Sequence, residues 1–297
     1  MENKNNLSFG KAFVFMLVPS IIIKIVNYVL SMMALEFTFV KTCESYSSGG
    51  FYEIMNDWYA RSIDTDLNTA LSIGYSIACI LIFGSMYLKH CSSKDKFKHC
   101  FKGISDNNGL FILGAVIFVI GLQYVCNYLL NTVAATFPSW LEEYEALLES
   151  VGLDDSISFG MAIYAIILGP ICEELAFRGL TFSAARKIFP LWGAIVAQAL
   201  LFAFFHGNML QGTYTFVVGL AFGYIMYRYD NLVVTIILHI GYNLVGTFAV
   251  EYLPMGGNTL ISYFFWTLGS LIVAYIGLLL LQKAAPGVKI NENPSDN

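Results

Sequence analysis

The sequence predicts an all-α, polytopic membrane protein with about eight transmembrane helices. Composition is the first reason: 57% of the 297 residues are hydrophobic and 12% are charged, against about 25% charged residues in a typical soluble domain. The second is patterning, because apolar runs of about eighteen residues or more recur along the chain, the length a membrane helix needs. With the hydrophobic content so high, the net charge of -5 carries no argument for a nucleic-acid partner; the lipid bilayer is the surrounding that this composition demands.

After a polar stretch over residues 1–11, the first apolar run is Ala12 to Leu35. It is too long for a signal-peptide core and lacks a small-residue cleavage site, so it reads as a retained span. Lys24 inside it is expected to face the bundle or to snorkel. Residues 36–67 read as a polar loop with Gly49-Gly50 as punctuation, and further spans are expected at about 69–88, 109–131 and 158–176. Between the last two, Trp140 to Ser156 mixes Glu142, Glu143, Glu145 and Glu149 with Leu and Tyr, a pattern for a short surface helix. The stretch Thr181 to Phe189 is amphipathic and stops at Pro190. Spans at about 191–207, 213–228, 231–249 and 260–281 complete the count, with a polar tail after Lys283.

Lys and Arg test that count. With eight spans the termini share a side with the loops near 89–108, 177–190 and 228–230. Of the 16 Lys and Arg residues, the opposite side carries only Lys41 and Arg61. A miscounted span would scramble this separation, so both termini are expected in the cytoplasm, with the chain in the plasma membrane. The six cysteines show no short paired spacing outside the membrane. Cys43 stands alone in its loop, and Cys79, Cys126 and Cys172 fall in apolar segments, so no disulfide framework is expected.

Three patterns carry chemistry. Glu173-Glu174-Leu175-Ala176-Phe177-Arg178 ends an apolar segment, where each charge disfavours insertion by about 2.5–3.5 kcal/mol at a helix centre. Glu173 and Glu174 point about 100° apart on a helix and cannot share one job. Glu174 and Arg178 are four apart with the acid first, the favourable order for an ion pair. Glu173 is left without a local partner, and a carboxylate in an apolar cleft suits a general base that activates water. The other reading keeps all three charges solvated at the membrane surface, since they lie near a span end. Phe202 and His206 are four apart at the end of one span. His239 and Asn243 are four apart inside another, where polar groups are costly unless paired across helices.

Glu-Glu-x-x-x-Arg, Phe-x-x-x-His and His-x-x-x-Asn on successive spans resemble the signature of the CPBP family, which holds CAAX prenyl proteases, bacteriocin-processing enzymes and bacteriocin self-immunity proteins. The resemblance covers about residues 158–249. It implies an eight-helix intramembrane endopeptidase acting on membrane-associated peptides or proteins. By position, Glu173 would activate the attacking water with help from His206, while His239 and Asn243 would polarise the scissile carbonyl and stabilise the oxyanion. Glu174, Arg178 and Phe202 would support the site. The chain then divides into a three-span region with an acidic external loop (1–157), the CPBP-type core (158–250), and the last span with its tail (251–297).

Family members include both metalloproteases and metal-free glutamate peptidases. Glu173, His206 and His239 would make a legitimate Zn2+ set with an open fourth position, but the His-Glu-x-x-His spacing is missing, and the reading favoured is that no cofactor is required. His90-Cys91 and His99-Cys100 flank a basic loop whose lysines repel a cation, so they read as solvated; Cys172 reads as packing. The rival function is non-catalytic, a bacteriocin-immunity or peptide-binding membrane protein using the same pocket. A proton-coupled transporter could also use intramembrane Glu and His, but no repeated pair of broken helices is present to support it.

The expected topology is directly measurable. In cells whose native cysteines have been replaced, Ser93→Cys and Ser295→Cys should be shielded from an impermeant thiol reagent, and Ser47→Cys should react. External labelling at residue 93 would refute the eight-span topology.

Overall fold

The computed structural model describes residues 9–46, 49–90, 107–153, 157–249 and 252–285. Helices account for nearly all of these, and no strand occurs among them. The helices are α1 (Phe9–Ser45), α2 (Phe51–Ser62), α3 (Thr65–His90), α4 (Asn108–Thr136), α5 (Pro138–Val151), α6 (Phe159–Ala185), α7 (Leu191–His206), α8 (Met209–Tyr229), α9 (Leu232–Phe248) and α10 (Leu260–Ala284). The protein is an all-α, multi-pass membrane protein.

All eight expected apolar segments are helical, but they are not equivalent. Six (α1, α3, α4, α6, α8 and α10) are long and apolar enough to cross a bilayer. The other two, α7 with 16 residues and α9 with 17, rise about 24–26 Å at 1.5 Å per residue, short of the ~30 Å hydrocarbon core. These two carry His206, His239 and Asn243. Irregular or unfilled backbone at membrane depth is tolerated only where it is buried in protein or lines a polar cavity, which is where α7 ends.

Three expectations need correction. The loop expected over 36–67 is mostly helix. α1 continues to Ser45, its extra turns carrying a Lys41–Glu44 ion pair at 2.8 Å and threonines that bond back to carbonyls of the preceding turn; α2 then follows after Gly50. The second correction concerns the span expected to stop at 176. α6 runs on to Ala185 and absorbs the start of the stretch read as a separate amphipathic segment. Its charges find partners inside the bundle, so the chain has no need to leave the membrane there. Arg178 consequently lies in mid-helix with no exposed side-chain surface, and it does not belong with the loop cations. Third, the short acidic helix is present as α5, shifted to Pro138–Val151, where Pro138 occupies the first turn and left-handed Gly152 ends it. The His90-Cys91 and His99-Cys100 pairs lie outside the residues whose side chains are described, and the other cysteines, Cys43, Cys79, Cys126 and Cys172, are free.

α6 is the central element. It alternates α-helical turns (Phe159–Ile163, Gly169–Glu173, Phe182–Ala185) with π-helical ones (Tyr164–Leu168, Glu174–Thr181). Packed around it are α1, whose Met16 carbonyl accepts a hydrogen bond from the Thr181 hydroxyl at 3.2 Å, together with α3, α7 and α9. α7 and α8 are clamped by Gln198, fully buried, whose amide donates to the Gly219 carbonyl across the interface at 2.7 Å. On the far side α10 lies along α4 and shows its other face to lipid through Leu260, Phe264, Phe265 and Leu271.

The α4–α10 seam depends on glycine at two positions. A Cβ on Gly121 would fall onto the Ala274 backbone, and one on Gly277 onto the backbone of Phe118. Without hydrophobic drive between helices in lipid, such close backbone approach is what holds a pair together. Gly121→Leu or Gly277→Leu should therefore separate the helices, costing at least the ~1–3 kcal/mol of an overpacked core. The readout is a lowered melting temperature in detergent, with Gly269→Leu, which has open space around it, melting like the parent.

Candidate active site

Glu173, Glu174 and Arg178 sit on adjacent turns of α6 but meet different surroundings. Glu174 and Arg178 have no exposed side-chain surface, and Arg178 Nη1 lies 2.9 Å from Glu174 Oε1. The guanidinium also faces the Phe202 ring at 4.4 Å and the Phe222 ring at 5.4 Å. A desolvated cation over an aromatic face gains on the order of 2 kcal/mol, which offsets part of the cost of burying Arg178. The solvated-surface reading of this trio is therefore not what the fold contains.

His239 of α9 completes the cluster from the other side. Its Nδ1 is 2.7 Å from Glu174 Oε1. An ionised carboxylate can only accept, so Nδ1 carries a proton, and Nε2 is the atom turned to Glu173, 3.7 Å from Oε2. Glu173 keeps 17% of its side chain exposed, all that separates it in accessibility from its neighbour. The two adjacent glutamates thus divide as their angular separation predicts: one is held by the core, the other is open.

His206 ends α7. Its Nδ1 is 2.8 Å from the Phe202 carbonyl, an acceptor, so Nδ1 again carries hydrogen and Nε2 is left for another partner. The Phe202 ring stands edge-on to His206 at 4.8 Å and 6.1 Å from His239. Phe202 is the shared wall of the site, with Arg178 on one face and both imidazoles around it.

Asn243 does something the sequence does not announce. Its amide nitrogen donates to the Ala165 carbonyl on α6 at 2.8 Å. In that π turn the Gly169 N–H bonds the Tyr164 carbonyl. The next donor in register would belong to residue 170, which is proline and has no N–H. The Ala165 carbonyl is left without an in-helix partner, and Asn243 fills the vacancy from α9.

Glu173, His206, His239 and Asn243 all line one cavity of about 960 Å³. It runs from mid-helix Glu173 to the end of the bundle that carries α2, the start of α3 and α5, with Thr65, Leu147 and Val151 on its wall. α5 is tied over that end by Asn68 donating to the Ser150 carbonyl at 3.1 Å and by a Tyr144–Tyr214 hydroxyl pair at 3.2 Å. Sequence reasoning missed Tyr75 and Tyr164 as cavity residues, whereas Lys24, expected to face the bundle or to snorkel, lines the cavity. Cys172, one residue from Glu173, is buried and is not part of the lining.

Among the described residues no three His, Cys, Asp or Glu side chains are grouped to hold one metal ion. Glu173, His206 and His239, the alternative Zn2+ set, line the same cavity.

Residues 155–245 match the family model of the type II CAAX prenyl endopeptidase, Rce1-like. The match supports the CPBP/CAAX protease family for this segment. It takes in α6 to α9 and every motif residue, and it supports a CAAX-type intramembrane protease at family level. No curated protein and no solved structure gives a significant match.

The ion-pair geometry predicts the behaviour of Glu174. Glu174→Gln removes the charge that faces both Arg178 and His239, and loss of one partner of a buried pair costs about 3–5 kcal/mol. The variant should accumulate poorly and melt well below the parent in detergent. Equal melting temperatures would mean that the pair is not buried in the protein as it exists in the membrane.

Proposed function

We propose that the chain is a glutamate-type intramembrane endopeptidase in which Glu173 activates the water that hydrolyses a peptide bond of a membrane-associated substrate. The observation that carries this reading is the division between the glutamates. Glu174 is spent on Arg178 and His239, while Glu173 faces the cavity with His239 Nε2 3.7 Å away.

In the proposed reaction the Glu173 carboxylate takes a proton from water as the water oxygen attacks the scissile carbonyl carbon. His206, its Nδ1 hydrogen held by the Phe202 carbonyl, offers Nε2 as a second acceptor that orients the water. The carbonyl oxygen gains negative charge, and the protonated imidazole of His239 donates Nε2–H to it, its own charge balanced by Glu174 at Nδ1. Asn243 holds the π turn of α6 through Ala165 with one amide hydrogen and has a second to offer the oxyanion. Glu173 then returns its proton to the leaving nitrogen as the C–N bond breaks, releasing one carboxylic acid and one amine. Every step as written is carried by side chains of this chain. The rival reading, a peptide-binding or immunity protein, uses the same cavity without turnover.

The test compares the peptides released from membranes holding the wild-type chain with those holding Glu173→Gln, followed by turnover of the identified substrate per folded molecule. Glu173→Gln should lose about 10²–10⁴-fold, the range for a general base, at an unchanged melting temperature. Wild-type turnover should persist after chelation and dialysis. A well-folded Glu173→Gln protein cleaving at the wild-type rate leaves the binding-protein reading in possession. Activity that leaves and returns with one bound zinc would hand water activation to the metal.

A further inference from the structure

Lys24 is a cation near the middle of a 37-residue apolar helix, 15 residues from its start. Such charges in membrane segments face a bundle interior or a polar cavity and have a partner there. Its Nζ donates to the Phe205 carbonyl at 2.9 Å and stands 5.3 Å from the Phe205 ring. Phe205 is in the last turn of α7, whose carbonyls have no in-helix donor, so one of the three ammonium hydrogens caps the helix that ends in His206. That accounts for one hydrogen only. Among the described residues no carboxylate lies within ion-pair distance of Nζ, and Lys24 makes no second hydrogen bond. Yet Lys24 lines the same cavity as Glu173 and His206, and it is the only Lys or Arg among the described residues that does so. Glu149, the other acid on the wall besides Glu173, is on α5 and is not paired with it.

An ammonium with two free donors, held beside the candidate catalytic groups, is complementary to a carboxylate. We propose that Lys24 forms a carboxylate-binding subsite of the cavity, reading a negative charge on the peptide whose bond faces Glu173. The proposal rests on the peptidase reading for the identity of the ligand as a peptide. The carboxylate can come from a free C-terminus or from an acidic side chain next to the cut. Anchored by Phe205, the adjacent residue to His206, the ammonium fixes the peptide's position along the cavity as well as its charge. Lys24 lies outside residues 155–245, so this selectivity is a property of this chain's α1 and is not carried by the family segment.

The probes are fluorescent S-farnesylated peptides of one sequence in three forms: a free C-terminal acid, the C-terminal amide, and the amide with one Glu near the C-terminus. Binding is measured by anisotropy to the full chain in neutral detergent, in the Glu173→Gln background so that nothing is cleaved. The acid should bind about tenfold or more tighter than the plain amide, as hydrogen bonds to charged groups imply. Lys24→Gln should abolish the difference and Lys24→Arg should keep it, with melting temperatures confirming that each variant is folded. If the Glu-containing amide matches the acid, the subsite takes either carboxylate; if it matches the plain amide, it reads the C-terminus alone. Equal binding of all three forms, absence of binding included, overturns the subsite, as does an acid preference that survives in folded Lys24→Gln. Cleavage of the same peptides by the parent but not by Glu173→Gln is scored separately and judges the peptidase reading alone.

Discussion

One oxygen atom organises the centre of this molecule. Glu174 Oε1 touches Arg178 Nη1 at 2.9 Å and His239 Nδ1 at 2.7 Å, joining two positions of α6, neither with any exposed side-chain surface, to a His239 that keeps only 5% of its own. Removing charges from water costs several kcal/mol per ion even after relaxation, so a bundle that keeps them must compensate closely. The compensation is built from opposite charge, two phenylalanine faces on Arg178, and a hydrogen bond that fixes the His239 ring. A buried ion pair is weak evidence for stability in itself. What it provides here is orientation: with Nδ1 occupied, only Nε2 of His239 can face the cavity.

The sequence was informative where side chains lie four apart. The pairing of Glu174 with Arg178 and the packing of Phe202 against His206 follow from helix geometry alone, and both occur. The divergence of the two glutamates follows from the same geometry. Apolar run length located all eight apolar helices, six of them long enough to cross a bilayer, because burial against lipid or against other helices demands the same residue types. It could not say where α6 would end, since that depends on whether Arg178 finds a partner inside the bundle. The continuation of α1 past Leu35 was equally hidden: polar residues are compatible with a helix once it has left the hydrocarbon.

The role of Asn243 shows a deeper limit. Nothing in a linear reading signals that the chain enters a π turn at Tyr164–Leu168, because the register shift is set by packing. Only with that turn known does Pro170 mean a missing donor, and only then does the Ala165 carbonyl require one from another helix. π turns concentrate at functional sites, and here one lies a single turn before Glu173.

The cavity wall has two origins. The groups around Glu173, from Tyr164 to Asn243, lie within the family segment, whereas α1, α2, α3 and α5, which supply half of the lining residues, lie outside it. On the proposed reading, chemistry and selectivity are encoded in separate stretches of the chain. Related proteins can diverge in what they admit by changing the first 153 residues while the four-helix engine is left untouched, so the shared segment is a guide to the kind of bond attacked and a poor one to the molecule that carries it.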